Sequence, residues 1–96
     1  MIRSESLFRA LADPTRRRIL AILKGGSRSA GEIADQFPIS MASLSHHYAV
    51  LKATDLIRSE RRGQRIVYSL NTTVFEDVAS ALADFFRLDK PNGGAS

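Results

Sequence analysis

The most concentrated binding chemistry in this sequence is a cluster of four arginines within eight residues around Gly63, namely Arg58, Arg61, Arg62 and Arg65. Guanidinium groups this close repel one another unless an anion neutralises them. Each also presents a planar fork of donors that fits phosphate oxygens. The cluster therefore predicts contacts to a polyanion, either along its phosphates or inside a narrow minor groove.

A second set of polar side chains occupies residues 40–47, which read Ser-Met-Ala-Ser-Leu-Ser-His-His. If this segment is helical, at about 100° per residue, Leu44, Tyr48 and Leu51 share one arc and face the core. The opposite side is then small and polar to apolar, without a carboxylate, which suits base edges flanked by phosphates. The predicted nucleic-acid contacts are Ser40, Met41, Ala42, Ser43, Ser45, His46, His47, Arg58, Arg61, Arg62, Gln64 and Arg65.

The two adjacent histidines have other interpretations. His46 and His47 diverge by about 100° on a helix, so they make a poor metal pair, and an ordinary exposed or half-buried pair is the plain alternative. Ser45 beside them does not form a nucleophile and base, because neighbours in one helix point apart. Gly25-Gly26 lacks the later Gly-Lys-Ser/Thr of a phosphate loop. We therefore expect no catalytic site, no metal site and no cofactor.

The charge distribution agrees with a polyanion partner. Residues 14–68 hold ten basic and four acidic side chains, a net of +6, whereas residues 71–96 hold two basic and four acidic, a net of −2. Merely solvated charged faces are the alternative. The chain has no cysteine, which excludes disulfides and thiolate ligands. It has neither an apolar run of about 20 residues nor a signal-peptide pattern, so we expect a cytoplasmic protein without membrane insertion.

Capping signals and periodicity divide the chain into elements. Asp13-Pro14, the Ser29 to Glu32 spacing, Ser40, and the Thr73 to Glu76 spacing are typical helix starts. They predict helices at residues 4–12, 14–23, 30–37, 41–53 and 73–88, and strands at residues 56–61 and 65–70. The expected fold is mainly α with a small β-hairpin, a winged helix-turn-helix with five helices and a two-stranded wing. One domain should span residues 1–88, followed by a disordered tail at residues 89–96.

The predicted last helix is apolar on more than one side, which is more than a core of this size can bury from one direction. Together with the first helix it predicts a two-fold dimer interface of Leu7, Phe8, Leu11, Phe75, Ala79, Leu82 and Phe86. We call the predicted helix at residues 41–53 the reading helix. Such a dimer places its two copies about 34 Å apart. A monomer whose terminal helices cover the core is the alternative.

Several motifs in this order resemble the ArsR/SmtB family of bacterial winged-helix repressors. They are Asp-Pro-Thr-Arg-Arg-Arg-Ile-Leu at residues 13–20, the 40–47 segment, Leu51-Lys52 and the Arg62-Gly63-Gln64 turn. Residues 68–73, Tyr-Ser-Leu-Asn-Thr-Thr, are similar to the SdpR-like autorepressor branch. The resemblance implies a homodimeric repressor that binds double-stranded operator DNA, often in its own promoter. A winged-helix module for protein interaction or RNA binding is the other hypothesis.

The sequence also departs from the family pattern. Many members sense metals through cysteines before the reading helix or through Asp, His and Glu on the last helix. Here the segment that would carry those cysteines reads Ser29-Ala30-Gly31-Glu32-Ile33-Ala34, and the last helix has no histidine. The resemblance therefore implies a repressor without the family metal sites, and release by a regulatory protein partner or by changing protein level becomes the hypothesis. Met41 stands where a polar base-reading residue is common, and Tyr48 where leucine is usual.

Overall fold

The computed structural model describes residues 4–89 as a winged helix-turn-helix. In chain order the elements are α1 (Ser4–Ala12), α2 (Pro14–Leu23), β1 (Arg28–Ser29), α3 (Ala30–Ala34), α4 (Met41–Ala53), β2 (Ile57–Arg62), β3 (Arg65–Leu70) and α5 (Thr72–Asp89). This confirms the predicted fold class and its five helices. Of the predicted tail, Asp89 belongs to α5, and residues 90–96 lie outside the described residues. None of the described helices is long and apolar enough to cross a membrane.

Local capping explains where three of the helices begin. The Asp13 carboxylate accepts the Arg16 amide at 3.0 Å, which holds the pKa of that carboxyl below its ordinary value. Ser29 and Glu32 form the predicted reciprocal capping box at the start of α3, and the Ser29 amide lowers the pKa of Glu32. The Ser40 hydroxyl accepts the Ser43 amide at 3.1 Å and starts α4. Each cap satisfies an amide that the helix itself leaves free.

Three details differ from the sequence prediction. The sheet has three antiparallel strands in the order β1-β3-β2, because Arg28–Ser29 adds a short strand to the hairpin. Helix α3 ends at Ala34 and not at residue 37, since the amides of Gln36 and Phe37 bond only three residues back before Pro38. Helix α5 begins at Thr72, which places Thr73 inside the helix and away from a capping position.

The core lies where α2, α3, α4 and the sheet meet. Its largest fully buried side chains are Ile19, Ile33, Leu44, Leu51 and Leu56. On α4 the buried residues are Leu44, Tyr48 and Leu51, as the helical period predicts. The remaining sides of α4 are therefore free to face outward.

Two tyrosines connect α4 to the sheet and to α3. The Tyr48 ring lies 4.5 Å from the Tyr68 ring, and the Tyr48 hydroxyl donates to the Ala30 carbonyl at 3.2 Å. Burial raises the pKa of Tyr48 to about 12 and also raises the pKa of Tyr68. The Tyr48 side chain thus holds α4 against both β3 and α3.

The raised pKa of Tyr48 makes stability depend on alkaline pH. In the unfolded chain tyrosine ionises near pH ~10, whereas the folded protein keeps this proton to about pH 12. The contribution is therefore complete below about pH 10 and is lost as pH rises toward 12. Tyr48→Phe should lower the free energy of unfolding at pH 7 by about 1 kcal/mol and should make the alkaline loss shallower. Urea unfolding at pH 7, 9, 10 and 11 measures this, and an unchanged alkaline slope in the variant would refute it.

Candidate nucleic-acid interface

The outward side of α4 is a continuous surface of small and polar side chains. Its exposed residues in the predicted set are Met41, Ala42, Ser43, Ser45 and His46, and Ala49 extends the same surface. Helix α4 contains no carboxylate, and Lys52 lies near its end. Ser40 is exposed just before the helix, where its hydroxyl donates to the Ser43 hydroxyl at 3.2 Å. The surface therefore offers hydroxyls, an imidazole and apolar groups without negative charge.

Two further residues of α4, one of them the predicted contact His47, turn inward. Val50 is half-buried and packs against the core. The His47 side chain is only 16% exposed, and its Nδ1 lies 3.1 Å from an Arg16 guanidinium nitrogen and 3.9 Å from the Asp13 carboxylate. Of the two adjacent histidines, His46 is therefore the one exposed to solvent.

The wing is the hairpin of β2 and β3, which pair from Ile57 opposite Leu70 to Arg62 opposite Arg65. Gly63 has φ +63°, a backbone conformation that glycine adopts without strain, and so permits a two-residue turn. Strand alternation distributes the four arginines over two faces of the hairpin. Arg58, Arg62 and Arg65 share one face, and Arg61 lies on the other face opposite Ile66.

The arginines also differ in their hydrogen bonds. Arg58 lies at the far end of β2 from the turn and donates to the Asn71 side chain at 3.3 Å. Arg61 donates to the Gly63 carbonyl at 3.3 Å, and Arg62 pairs with Glu60 at 3.0 Å. Both partners of the Arg62 pair are well exposed, and such pairs are worth only about 0 to 1 kcal/mol. Arg61 and Arg62 at the tip can therefore exchange these partners for phosphates.

Arg65 is attached to the body of the protein. It donates to the Ser29 hydroxyl at 3.0 Å and lies 3.7 Å from a Glu32 oxygen, so it contacts both members of the α3 capping box. Because Arg65 directly follows the turn, this contact fixes the turn end of the wing against α3. Arg65 also lines an open groove of about 520 Å³ together with Met41 and Gln64. The start of α4 and the turn end of the wing thus border the same groove.

Two of the basic residues counted in the positively charged segment, residues 14–68, have a structural role that the sequence analysis missed. Arg16 donates to the carbonyls of Ala10 and Arg9 at 2.8 and 3.1 Å. Arg17 donates to the carbonyls of Leu11 and Ala12 at 2.8 and 2.9 Å. Together they satisfy the last four carbonyls of α1, which a helix leaves unpaired. Two arginines in the first turn of a helix that directly follows another helix were the available sequence signal.

The predicted interface residues on α1 and α5 fall into two groups. Leu7 is buried in the core, and Leu11 and Phe75 are half-buried and pack against it. In contrast, Ala79 is exposed, and the exposed fractions of the large apolar residues are 58% for Phe8, 46% for Leu82 and 60% for Phe86. Phe85, which was absent from the predicted set, is also 60% exposed. An apolar groove of about 520 Å³ runs between α1 and α5, lined by Leu7, Phe8, Asp77, Val78, Ala81, Leu82 and Phe85.

Comparison with known proteins decides the family. A helix-turn-helix domain family model matches residues 11–60. The chain is 50% identical to the transcriptional repressor SdpR of Bacillus subtilis over 80 residues, which cover 83% of this chain and 89% of SdpR. The chain belongs to the ArsR/SmtB family of winged-helix repressors and is SdpR-like. This repressor is also 32% identical to the arsenical resistance operon repressor of Staphylococcus xylosus, over 69% of this chain and 64% of that protein.

Solved structures agree with this assignment. The repressor superposes on the ArsR family transcriptional regulator RHA00566 with a TM-score of 0.84 at 28% identity, over 97% of this chain and all of that one. The protein is therefore a DNA-binding transcriptional repressor and not an enzyme, as the sequence predicted.

Proposed function

We propose that this repressor acts in the cytoplasm as a homodimer on double-stranded operator DNA, including the DNA of its own promoter. The observation that supports the proposal is the carboxylate-free exposed side of α4, whose first residue Met41 lines one groove with Gln64 and Arg65 of the wing. A surface of this kind can enter the major groove without repelling the phosphates on either edge. The similarity to the autorepressor branch motivates the choice of its own promoter.

The exposed residues of α4 have chemically distinct roles in this proposal. Ser43, Ser45 and His46 supply hydrogen bonds to base edges or nearby phosphates. Met41 and Ala42 supply apolar contacts that suit the methyl group of thymine. Specificity then comes from the first turns of α4, with the Ser40 cap at its start.

The wing supplies contacts that depend less on sequence. Arg61 and Arg62 lie at the exposed tip, on opposite faces of the hairpin, with Gln64 in the turn. Their forks suit phosphates or a narrow minor groove. Arg58 stands at the far end of β2 and bonds to Asn71. Arg65 lies next to the turn opposite Arg62 but is held by Ser29 and Glu32 of the body, so we assign both arginines weaker contacts.

The apolar groove between α1 and α5 supports the homodimer. Phe8, Leu82, Phe85 and Phe86 leave a large apolar area in contact with water in a single protomer. A two-fold interface uses the same surface on both protomers, and this apolar surface can be buried against its own copy. It also supplies the two reading helices that a symmetric operator needs, about 34 Å apart.

Fluorescence anisotropy tests the proposed function. A labelled duplex from the protein's own promoter is titrated at salt concentrations from 50 to 300 mM, beside a scrambled duplex and the corresponding RNA duplex. If four to five phosphates are neutralised per protomer, the log–log salt slope should be about −7 to −9 for a dimer. A flat salt response or equal affinity for promoter and scrambled DNA would refute the proposal and favour a protein-interaction module. A preference for the RNA would favour an RNA-binding module.

We also propose that release from DNA does not use the family metal sites but a regulatory protein partner or a change in protein level. The absence of cysteine from the sequence and of histidine from residues 72–89 supports this. Operator affinity should stay within about twofold when zinc, nickel, cadmium or arsenite is added, because an allosteric effector needs coupling of about 1 kcal/mol or more. A tenfold loss of affinity with any of these additions would contradict it.

A further inference from the structure

A single guanidinium group connects the end of α1 with the reading helix. Arg16 donates from Nε and one terminal nitrogen to the carbonyls of Ala10 and Arg9. Its other terminal nitrogen lies 3.1 Å from the Nδ1 of His47, which is 31 residues away in sequence. All three positions of the guanidinium fork are therefore in use, two on α1 and one on α4.

The donor and acceptor in the contact between Arg16 and His47 can be assigned in only one way. Guanidinium groups donate and do not accept, so a hydrogen bond at this contact requires Nδ1 of His47 to be the acceptor. Asp13 completes the cluster, since its carboxylate accepts the Arg16 amide at 3.0 Å and lies 3.9 Å from the same Nδ1. Most of the His47 side chain is buried, so the contact is partly shielded from water. A charge-assisted bond in such surroundings holds its geometry more firmly than a bond on the surface.

Arg17 provides a natural comparison. It carries the same charge, belongs to the same first turn of α2, and caps the same end of α1 through Leu11 and Ala12. In the part of the chain that the structure describes, its side-chain hydrogen bonds go to those two carbonyls alone, whereas the Arg16 side chain also reaches α4. Helix capping is thus common to both arginines, and contact with the reading helix belongs to Arg16.

We propose that Arg16 is a positioning residue for DNA recognition, which sets the rotation of α4 relative to α1 through His47. His46, the exposed neighbour of His47, and Ala42, one turn earlier, then present to the groove in a fixed orientation. Because α1 carries Phe8 of the proposed dimer surface, the same contact relates the reading helix to the two-fold axis. This inference rests on the proposed operator binding. It also assigns His47 an inward structural contact and leaves base reading to His46.

The experiment compares Arg16→Gln with Arg17→Gln in the full-length protein. Anisotropy at 150 mM salt and 20 °C gives the Kd for the promoter duplex and for the scrambled duplex, and circular dichroism gives the Tm. Both variants lose one charge and one cap of α1, and Arg16→Gln also loses the contact with His47. We therefore expect a larger fall in Tm for Arg16→Gln, but less than about twofold difference between the two variants on scrambled DNA. Arg16→Gln should reduce the promoter preference by about tenfold, and Arg17→Gln should leave it within about twofold.

A second variant keeps the test decisive if Arg16→Gln folds poorly. His47→Gln breaks the same contact from the α4 side and leaves the α1 carbonyls capped, so it should reduce promoter preference to a similar degree. The double variant should be no worse than either single variant, because both remove one interaction. Additive losses would mean that His47 contacts DNA directly, and would overturn the inference.

Two further outcomes are distinguishable. Equal loss of promoter preference in the Arg16 and Arg17 variants, with wild-type preference intact, overturns the positioning role alone. A wild-type protein without any promoter preference overturns the proposed operator binding, and the positioning role with it.

Discussion

Phe85→Asp is expected to convert the protein to monomers and to weaken promoter binding by about 100-fold or more. The Phe85 ring is 60% exposed in the protomer, so a carboxylate there is well solvated and leaves the core intact. In the proposed dimer the same carboxylate enters an apolar interface unpaired, which is costly. The large effect on DNA follows because two linked half-site contacts become two independent ones.

Sedimentation velocity at micromolar concentration measures the first effect, and anisotropy with the promoter duplex measures the second. Ser80→Asp is the matched control, since Ser80 is exposed and lies about 140° around α5 from Phe85. It should remain dimeric and bind normally. A Phe85→Asp variant that stays dimeric would contradict the proposed interface, and a monomer with undiminished affinity would contradict the need for a dimer.

Ala42→Glu is expected to abolish most DNA binding while the fold stays intact. Ala42 is the second residue of α4 and is exposed. A glutamate at this position interacts favourably with the start of a helix, so the free energy of unfolding should be unchanged or slightly higher. Against the phosphates, however, the new charges cost several kcal/mol per dimer, which corresponds to a loss of at least about 100-fold.

Ala42→Gln is the control for this variant, because it has nearly the same size without the charge. It should lose no more than about tenfold on the promoter and should bind scrambled DNA almost normally. Glu should weaken both duplexes. Similar affinities for the Glu and Gln variants would show that this side of α4 does not face DNA, and would contradict the proposed reading surface.

Features made by residues close together in the chain could be predicted from the sequence, and features that depend on distant residues could not. The caps at Asp13, Ser29 and Ser40 are made by side chains that bond three residues ahead, so the starts of α2, α3 and α4 could be predicted from short spacings. In contrast, β1 has only two residues and no pattern of its own. It exists because Arg28 and Ser29 pair with Tyr68 and Val67, far along the chain.

The same distinction applies to the candidate site. The exposed side of α4 followed from the helical period, which also places His47 about 40° from Leu51. The partner of His47, Arg16, is 31 residues away and could not be predicted from a local pattern. Strand alternation could already have separated Arg61 from Arg62, which the prediction treated as one cluster. In α5 the apolar residues surround most of the helix, so sequence alone did not show that Phe75 packs inward and Phe85 lies exposed.

Hydroxyl-radical footprinting on the protein's own promoter tests most directly whether α4 and the wing form one DNA-binding surface that a two-fold axis repeats. We expect two protected regions on one side of the duplex, with centres about 10 to 10.5 base pairs apart. Ala42→Glu should remove both of them. A single protected region, two regions on opposite sides of the duplex, or no protection at a concentration that saturates anisotropy would contradict it.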